Sequence, residues 1–196
     1  MRQPRLLLLL VFMSTACRAA PTDEEALWQR LREGGAIVLM RHAATEPGIG
    51  DPPGFVLARC ATQRNLSAAG RRDARRVGAA LRGHGVQPGA VWSSRWCRCL
   101  ETARLAFARA EPEPGLDSMF NDDAPAAAAK RRALHARLAA RRERTPLVLV
   151  THDVNIRALT GHALAPGEMV VTELRDGKLE VLGRLAVPAA DPPGAR

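Results

Sequence analysis

Ala36-Ile37-Val38-Leu39-Met40-Arg41-His42 is a run of five apolar residues that stops on an arginine and a histidine. Gly34-Gly35 precedes it and Pro47-Gly48 follows, so residues that break regular structure bound it on both sides. A helix needs a longer run, so the stretch reads as a parallel strand buried on both faces. In open α/β sheets, ligands bind beyond the carboxyl ends of the strands. Arg41 and His42 therefore belong at the mouth of such a site, and a guanidinium beside an imidazole suits an anion. Two polar residues capping a solvated strand end would look the same, so this stretch needs company.

The company comes from two further strand ends. Pro146-Leu147-Val148-Leu149-Val150-Thr151-His152-Asp153 repeats the design: an apolar run, a histidine, then a helix expected from 153 to about 160. Ala90-Val91-Trp92-Ser93-Ser94 leads into a helix that carries Arg98 near its start. Two histidines and two arginines thus issue from three strand ends, a convergence that structural need alone does not explain.

With these pieces in place the chain resembles the histidine phosphatase superfamily, the phosphoglycerate-mutase-like phosphatases. The matching segments are Leu39-Met40-Arg41-His42-Ala43-Ala44-Thr45, Asn65-Leu66-Ser67-Ala68-Ala69-Gly70-Arg71, Ser93-Ser94-Arg95-Trp96-Cys97-Arg98-Cys99-Leu100-Glu101-Thr102-Ala103, and Val150-Thr151-His152-Asp153. They span residues 35 to 160 in the family's order. Ala43 stands where the family most often has glycine and Arg95 where it has proline, and no asparagine follows Thr45 at the usual distance; the phosphate-handling groups are intact.

The resemblance implies a three-layer α/β/α sandwich with a mostly parallel central sheet, here closed by a C-terminal β-hairpin. It also implies hydrolysis of a small phosphomonoester. Arg41 and Arg98 become a clamp on the phosphoryl oxygens, with His152 a third donor, because a planar guanidinium holds two oxygens at once. His42 becomes the nucleophile. It must be neutral at the attacking nitrogen, with the hydrogen on the other nitrogen held by a backbone carbonyl or a similar acceptor. No metal or other cofactor is called for, since the arginines supply the positive charge. The leaving oxygen needs a proton. Asp153 is the first candidate, by likeness to the His-Asp pair of the acid phosphatase branch. Asp122 is the alternative, in the segment where the other branch carries its glutamate. Asp153 would also suit N-capping of its own helix. Thr45, Arg64 and Asn65 are candidate substrate contacts, and Glu101 is placed to orient an arginine. A phosphohistidine-protein phosphatase and a non-catalytic phosphate-binding protein of the same fold are the alternative functions.

The 196 residues allow one domain, expected over residues 22–187. Residues 1–16 have the form of a secretory signal: Arg2 and Arg5, an apolar run from Leu6 to Met13, then Ser14, Thr15 and Ala16. Cleavage after Ala16 leaves Cys17 first, so the product is either a soluble periplasmic protein or a lipoprotein attached to the membrane through lipidated Cys17. Export favours disulfides. Cys97 and Cys99 lie two apart on one helix and point to different sides, so Cys60 is expected to pair with Cys97 or with Cys99. The formal charge is +9, almost all of it arginine, but Tyr is absent and no aromatic residues interleave a basic stripe. A base-stacking nucleic-acid surface is therefore not indicated.

Other elements follow from caps and breakers. Thr22 and Glu25 have capping-box spacing for a helix to about residue 33, and Ser67 is placed to cap a helix to about 82. Helices are expected over 95–109 and 126–144, with a short strand near 115–118. The arginines at 131, 132, 137, 141 and 142 read as a solvated face, and His84, His135 and His162 as surface residues. Asp176-Gly177 turns a hairpin. Residues 188–196 read as a disordered tail.

Overall fold

The structure, a computed structural model, describes residues 23–187. The expected leader, Cys17, the Thr22 cap and the tail lie outside the described residues.

Six strands form one sheet: β1 (Ile37–Arg41), β2 (Ala90–Ser93), β3 (Glu111–Pro112), β4 (Leu147–Thr151), β5 (Met169–Arg175) and β6 (Lys178–Leu185). Their spatial order is β3-β2-β4-β1-β5-β6. The first four are mutually parallel; β5 and β6 are antiparallel and form the closing hairpin. Its turn falls on Asp176 and Gly177, both at positive φ, the conformation that two-residue hairpin turns favour.

Side chains on a strand alternate between faces, and here both faces are covered. Val38, Met40, Val148 and Val150 pack with α1 (Asp23–Glu33), α2 (Ala68–Gly83) and α3 (Cys97–Phe107) through Trp28, Leu31, Val77, Leu81 and Ala103. Ile37, Leu39, Leu147 and Leu149 pack with α4 (Ala124–Ala140) and α5 (Asp153–Thr160) through Leu134, Leu138 and Ile156. This double burial is why β1 and β4 are uninterrupted apolar runs.

The register brings the polar strand ends together. Arg41 of β1 stands beside Thr151 of β4, and the His42 amide extends the ladder by donating to the Thr151 carbonyl at 2.9 Å. On the other side of β4, Ser93 pairs with Val150, and the Ser94 amide donates to the Val150 carbonyl at 2.9 Å. The residues one step beyond these three strands, His42, His152 and Ser94, are therefore neighbours by construction.

Ser67 caps α2 as expected, accepting from the Gly70 amide at 3.0 Å. Gly70 has a second reason to be glycine, since a Cβ there would stand 1.9 Å from the Ala44 carbonyl oxygen. The helix start thus rides directly on the backbone that follows His42.

Several expectations are corrected. The short strand lies at Glu111–Pro112 rather than near 115–118, where Pro114–Leu116 forms a 3₁₀ turn held by the Glu113 side chain accepting from Gly115. α3 starts at Cys97, two residues late. Its N-cap Trp96 offers no side-chain cap, and Gln63 supplies one from the preceding loop by accepting the Cys97 amide at 3.0 Å. α3 ends before Ala108, which adopts the left-handed conformation. α4 begins at Ala124 because Asp123 caps it, and it stops at Ala140. Arg137 and Arg141 are not merely solvated. Arg137 lies 4.0 Å over the Trp92 ring and pairs with Glu111 and Glu113, shielding an apolar edge of the sheet, and Arg141 donates to the Thr145 carbonyl.

Cys60 bonds to Cys97, with Cα atoms 5.6 Å apart, and Cys99 is free and buried. The choice between the two thiols follows from α3: Cys97 opens the helix toward the loop, while Cys99 faces the core. With the bonded cysteines 37 positions apart, Cys60→Ser should lower unfolding free energy by about 3–4 kcal/mol in the chain-entropy model. Denaturant unfolding of variant and parent, with and without reductant, checks this; equal midpoints would show that the crosslink constrains nothing.

Candidate active site

The imidazoles of His42 and His152 meet edge to face, with ring centroids 5.4 Å apart. His42 Nδ1 lies 2.8 Å from its neighbour's carbonyl oxygen, Ala43 O. A carbonyl can only accept, so Nδ1 carries the hydrogen and Nε2 keeps its lone pair. His152 Nε2 lies 2.9 Å from the Ser94 hydroxyl, which fixes the ring's orientation but not its tautomer, because a hydroxyl both donates and accepts.

Burial pushes the His42 pKa down to about 3, with the charges of Arg98, Arg41 and Arg64 acting in the same direction. His152 is also held well below its ordinary value, by burial first and then by His42 and Arg98. Both rings are neutral at pH 7. The unfolded chain binds protons near pH 6.5, so below that value it takes up more than the folded chain does. Stability from this source is complete above about pH 6.5 and falls on acidification, by up to about 1.4 kcal/mol per pH unit for each ring. In the ligand-free protein the His42 ring proton resonances should stay at their neutral positions from about pH 8 to pH 5. A midpoint near the ordinary histidine value would overturn this account of the pocket.

Arg41 reaches out from the end of β1 and donates through Nη1 to the Leu164 carbonyl at 2.6 Å. Arg98 lies one residue into α3 and is 4% exposed. Arg64 comes from the loop before α2 and donates to the Gly48 carbonyl. All three line one cavity of about 600 Å³ with His42, His152, Asp153 and Asp122. In each of the three the Nε–H is buried without a protein partner. Buried donors are normally satisfied, so three arginines on one cavity, each with an Nε–H left over, suit an anion there.

Asp51 is the functional residue that the sequence reading missed. Its side chain is 7% exposed. Oδ1 accepts from Arg98 Nη1 at 2.8 Å and from the Arg64 amide at 2.9 Å, and Oδ2 accepts from Trp96 Nε1 at 2.9 Å. Although desolvation opposes it, these hydrogen bonds hold the carboxyl below its ordinary pKa. One aspartate in a Gly/Pro-rich loop therefore aims one arginine and fixes the backbone of another. Asp117, buried and hydrogen-bonded to the Arg95 amide and side chain, braces the turn into α3 from the opposite side.

Residues 37–124 match the family model of the histidine phosphatase superfamily, branch 1. Over that stretch, a little under half of the chain, the sequence is similar to the histidine phosphatase superfamily. Solved structures of similar fold include the protein histidine phosphatase SixA complexed with tungstate, at TM-score 0.54 and 16% identity, covering 77% of this chain and 96% of that one. The α-ribazole phosphatase of Shigella flexneri aligns at TM-score 0.55 and 15% identity, over 74% and 94% of the two chains. A phosphoserine phosphatase of Entamoeba histolytica, in complex with 3-phosphoglyceric acid, aligns at 0.56 and 15%, over 78% and 97%. At these identities the likeness establishes the fold. No curated protein sequence matches the chain significantly.

Around this cavity, the remaining site candidates separate. Asp153 lines the cavity, yet both its oxygens are engaged: Oδ2 with Arg157 Nε at 2.7 Å and Oδ1 with the Leu164 amide at 2.9 Å. It does not cap its own helix, whose N-cap is His152. Desolvation works against ionisation, but the Leu164 and Arg157 hydrogen bonds outweigh it and keep the carboxyl below its ordinary pKa. Asp122 lines the same cavity and pairs with Lys130 at 2.6 Å. Thr45 and Asn65 do not line it; Thr45 bridges to Leu66, and the Asn65 amide donates to the Cys60 and Gln63 carbonyls, bracing the loop. Glu101 orients Arg71 on α2, at 2.6 Å, rather than Arg98. His84 is exposed and stacks on Trp28, whereas His135 and His162 are half-buried. Among the described residues no group of three or more His, Cys, Asp or Glu could hold a metal ion.

Proposed function

We propose that this protein is a histidine phosphatase that hydrolyses a phosphomonoester through a phosphohistidine on His42. The observation that carries the proposal is the Nδ1 contact to the Ala43 carbonyl, which leaves Nε2 of a neutral imidazole as the nucleophile in a cavity lined by three arginines whose Nε–H groups have no protein partner. The Nε2 lone pair attacks phosphorus and the ester P–O bond breaks. A carboxyl protonates the departing oxygen, and water then cleaves the P–N bond while the same carboxylate takes its proton. Asp122 is the favoured donor of the two candidates, because Lys130 engages only one of its oxygens, whereas Arg157 and Leu164 engage both oxygens of Asp153.

Export is part of the same proposal. The form of residues 1–16 is that of a leader, and the Cys60–Cys97 bond fits an oxidising compartment, whether the mature chain is free or held through a lipidated Cys17. The test is hydrolysis of an aryl phosphate in the presence of a chelator, with rapid quenching to trap phosphate on the protein. The expected result is turnover with an acid-labile phosphoryl group on the peptide containing His42. Turnover with no such adduct, in a quench fast enough to resolve a single cycle, would refute the covalent route.

A further inference from the structure

The phosphoryl chemistry uses one wall of the cavity and leaves another with no role. Starting at His152, the Trp96 ring stands edge-on at 5.6 Å, and the Phe55 ring follows at 5.8 Å. Both aromatic side chains are half-buried and line the cavity. At its mouth stand Ile49, 92% exposed, and Phe120, 59% exposed. Ile49 sits between Gly48 and Gly50, both at positive φ, a backbone that holds it out at the tip of the loop. Four large apolar residues thus line the cavity between the His152 imidazole and solvent, and exposed apolar side chains at a pocket's mouth mark something that covers them.

The charges argue in the same direction. Arg41, Arg64 and Arg98 are used by the phosphoryl group, and among the described residues lining the cavity the further cation is Lys130, already paired with Asp122. A leaving group bearing a second phosphate or a carboxylate would find no uncommitted cation there. At about 600 Å³ the cavity also exceeds what a phosphoryl group fills.

We infer that the Trp96–Phe55 wall and the Ile49–Phe120 rim bind an apolar leaving group, so that the preferred substrates are phosphomonoesters of hydrophobic alcohols. This rests on the phosphatase reading above. It assigns specificity to Ile49, Phe55 and Phe120 and leaves the chemical steps unchanged.

A series of n-alkyl phosphates tests it, because leaving-group basicity hardly changes from ethyl to octyl and the rates report contact alone. For the parent protein kcat/KM should rise roughly two- to four-fold per added methylene, giving at least about ten-fold between ethyl and hexyl phosphate. In the double variant Ile49→Ser, Phe120→Ser the hexyl-to-ethyl ratio should fall toward one; both side chains are exposed, so the fold does not depend on them. A flat series in the parent, or a ratio the double variant leaves intact, overturns the inference while leaving the phosphatase reading standing. If the parent hydrolyses none of these esters, that reading fails instead, and calorimetric binding of ethyl- and hexylphosphonate decides the rim by itself. Tighter binding of the hexyl compound, lost in the double variant, supports it, and equal binding overturns it.

Discussion

His42→Ala is expected to lower kcat/KM for an aryl phosphate by at least about four orders of magnitude, the scale seen when a covalent nucleophile is removed. An aryl leaving group hardly needs protonation, so the loss reports attack on phosphorus and not the choice between Asp122 and Asp153. The arginines around the site do not depend on His42 for their positions: Arg41 is held by Leu164, Arg64 by Gly48, and Arg98 by Asp51. The variant should therefore still bind inorganic phosphate, which separates a lost nucleophile from a collapsed pocket. Retained turnover would sink the assignment of His42, whatever the fate of the fold.

Asp51→Ala should produce the second-largest effect, a fall in kcat/KM of about two orders of magnitude. The argument is positional. Arg98 is nearly fully buried and, among the described residues, Asp51 supplies its carboxylate contact, so deleting the carboxylate leaves a buried cation free to turn away from the phosphoryl oxygens. The same deletion releases the Arg64 amide and the Trp96 indole. Asp51→Asn can keep one acceptor for the Arg64 amide and should lose less. The lost ion pair should also lower stability, by an amount that added phosphate partly restores, since phosphate takes over as partner of Arg98. Thermal melts with and without phosphate, beside steady-state kinetics, check both halves. Wild-type kcat/KM in Asp51→Ala would show that Arg98 holds its pose unaided.

The strand ends were legible because parallel strands buried on both faces leave an unmistakable trace. Leu39-Met40 and Leu149-Val150 are apolar at consecutive positions, and the first polar residues after them lie at the sheet's carboxyl edge. The Ser67 cap and the Asp176-Gly177 turn were legible for a different reason, since their hydrogen bonds and backbone angles are settled within a few residues. Where a partner came from far along the chain, local reading failed. Gln63 caps a helix whose first residue is Cys97, and Arg137 covers Trp92 and binds Glu111 and Glu113. Nothing near those residues in sequence announces the contact.

The amino-acid sequence by itself therefore determined which residues stand at the ends of the central strands, and with them the two histidines and two arginines on which the proposed chemistry depends. Only the tertiary structure decided the rest: that Cys60 takes Cys97 and not Cys99, that Asp51 governs Arg98 across 47 residues, and that Ile49 and Phe120 frame the same opening. The physical reason is the range over which each is decided. Burial pattern and capping act within one element and are written in neighbouring residues. Pairings across the loop between β1 and α2 depend on a backbone path set by glycines and prolines, whose course is fixed only when the elements on either side have packed.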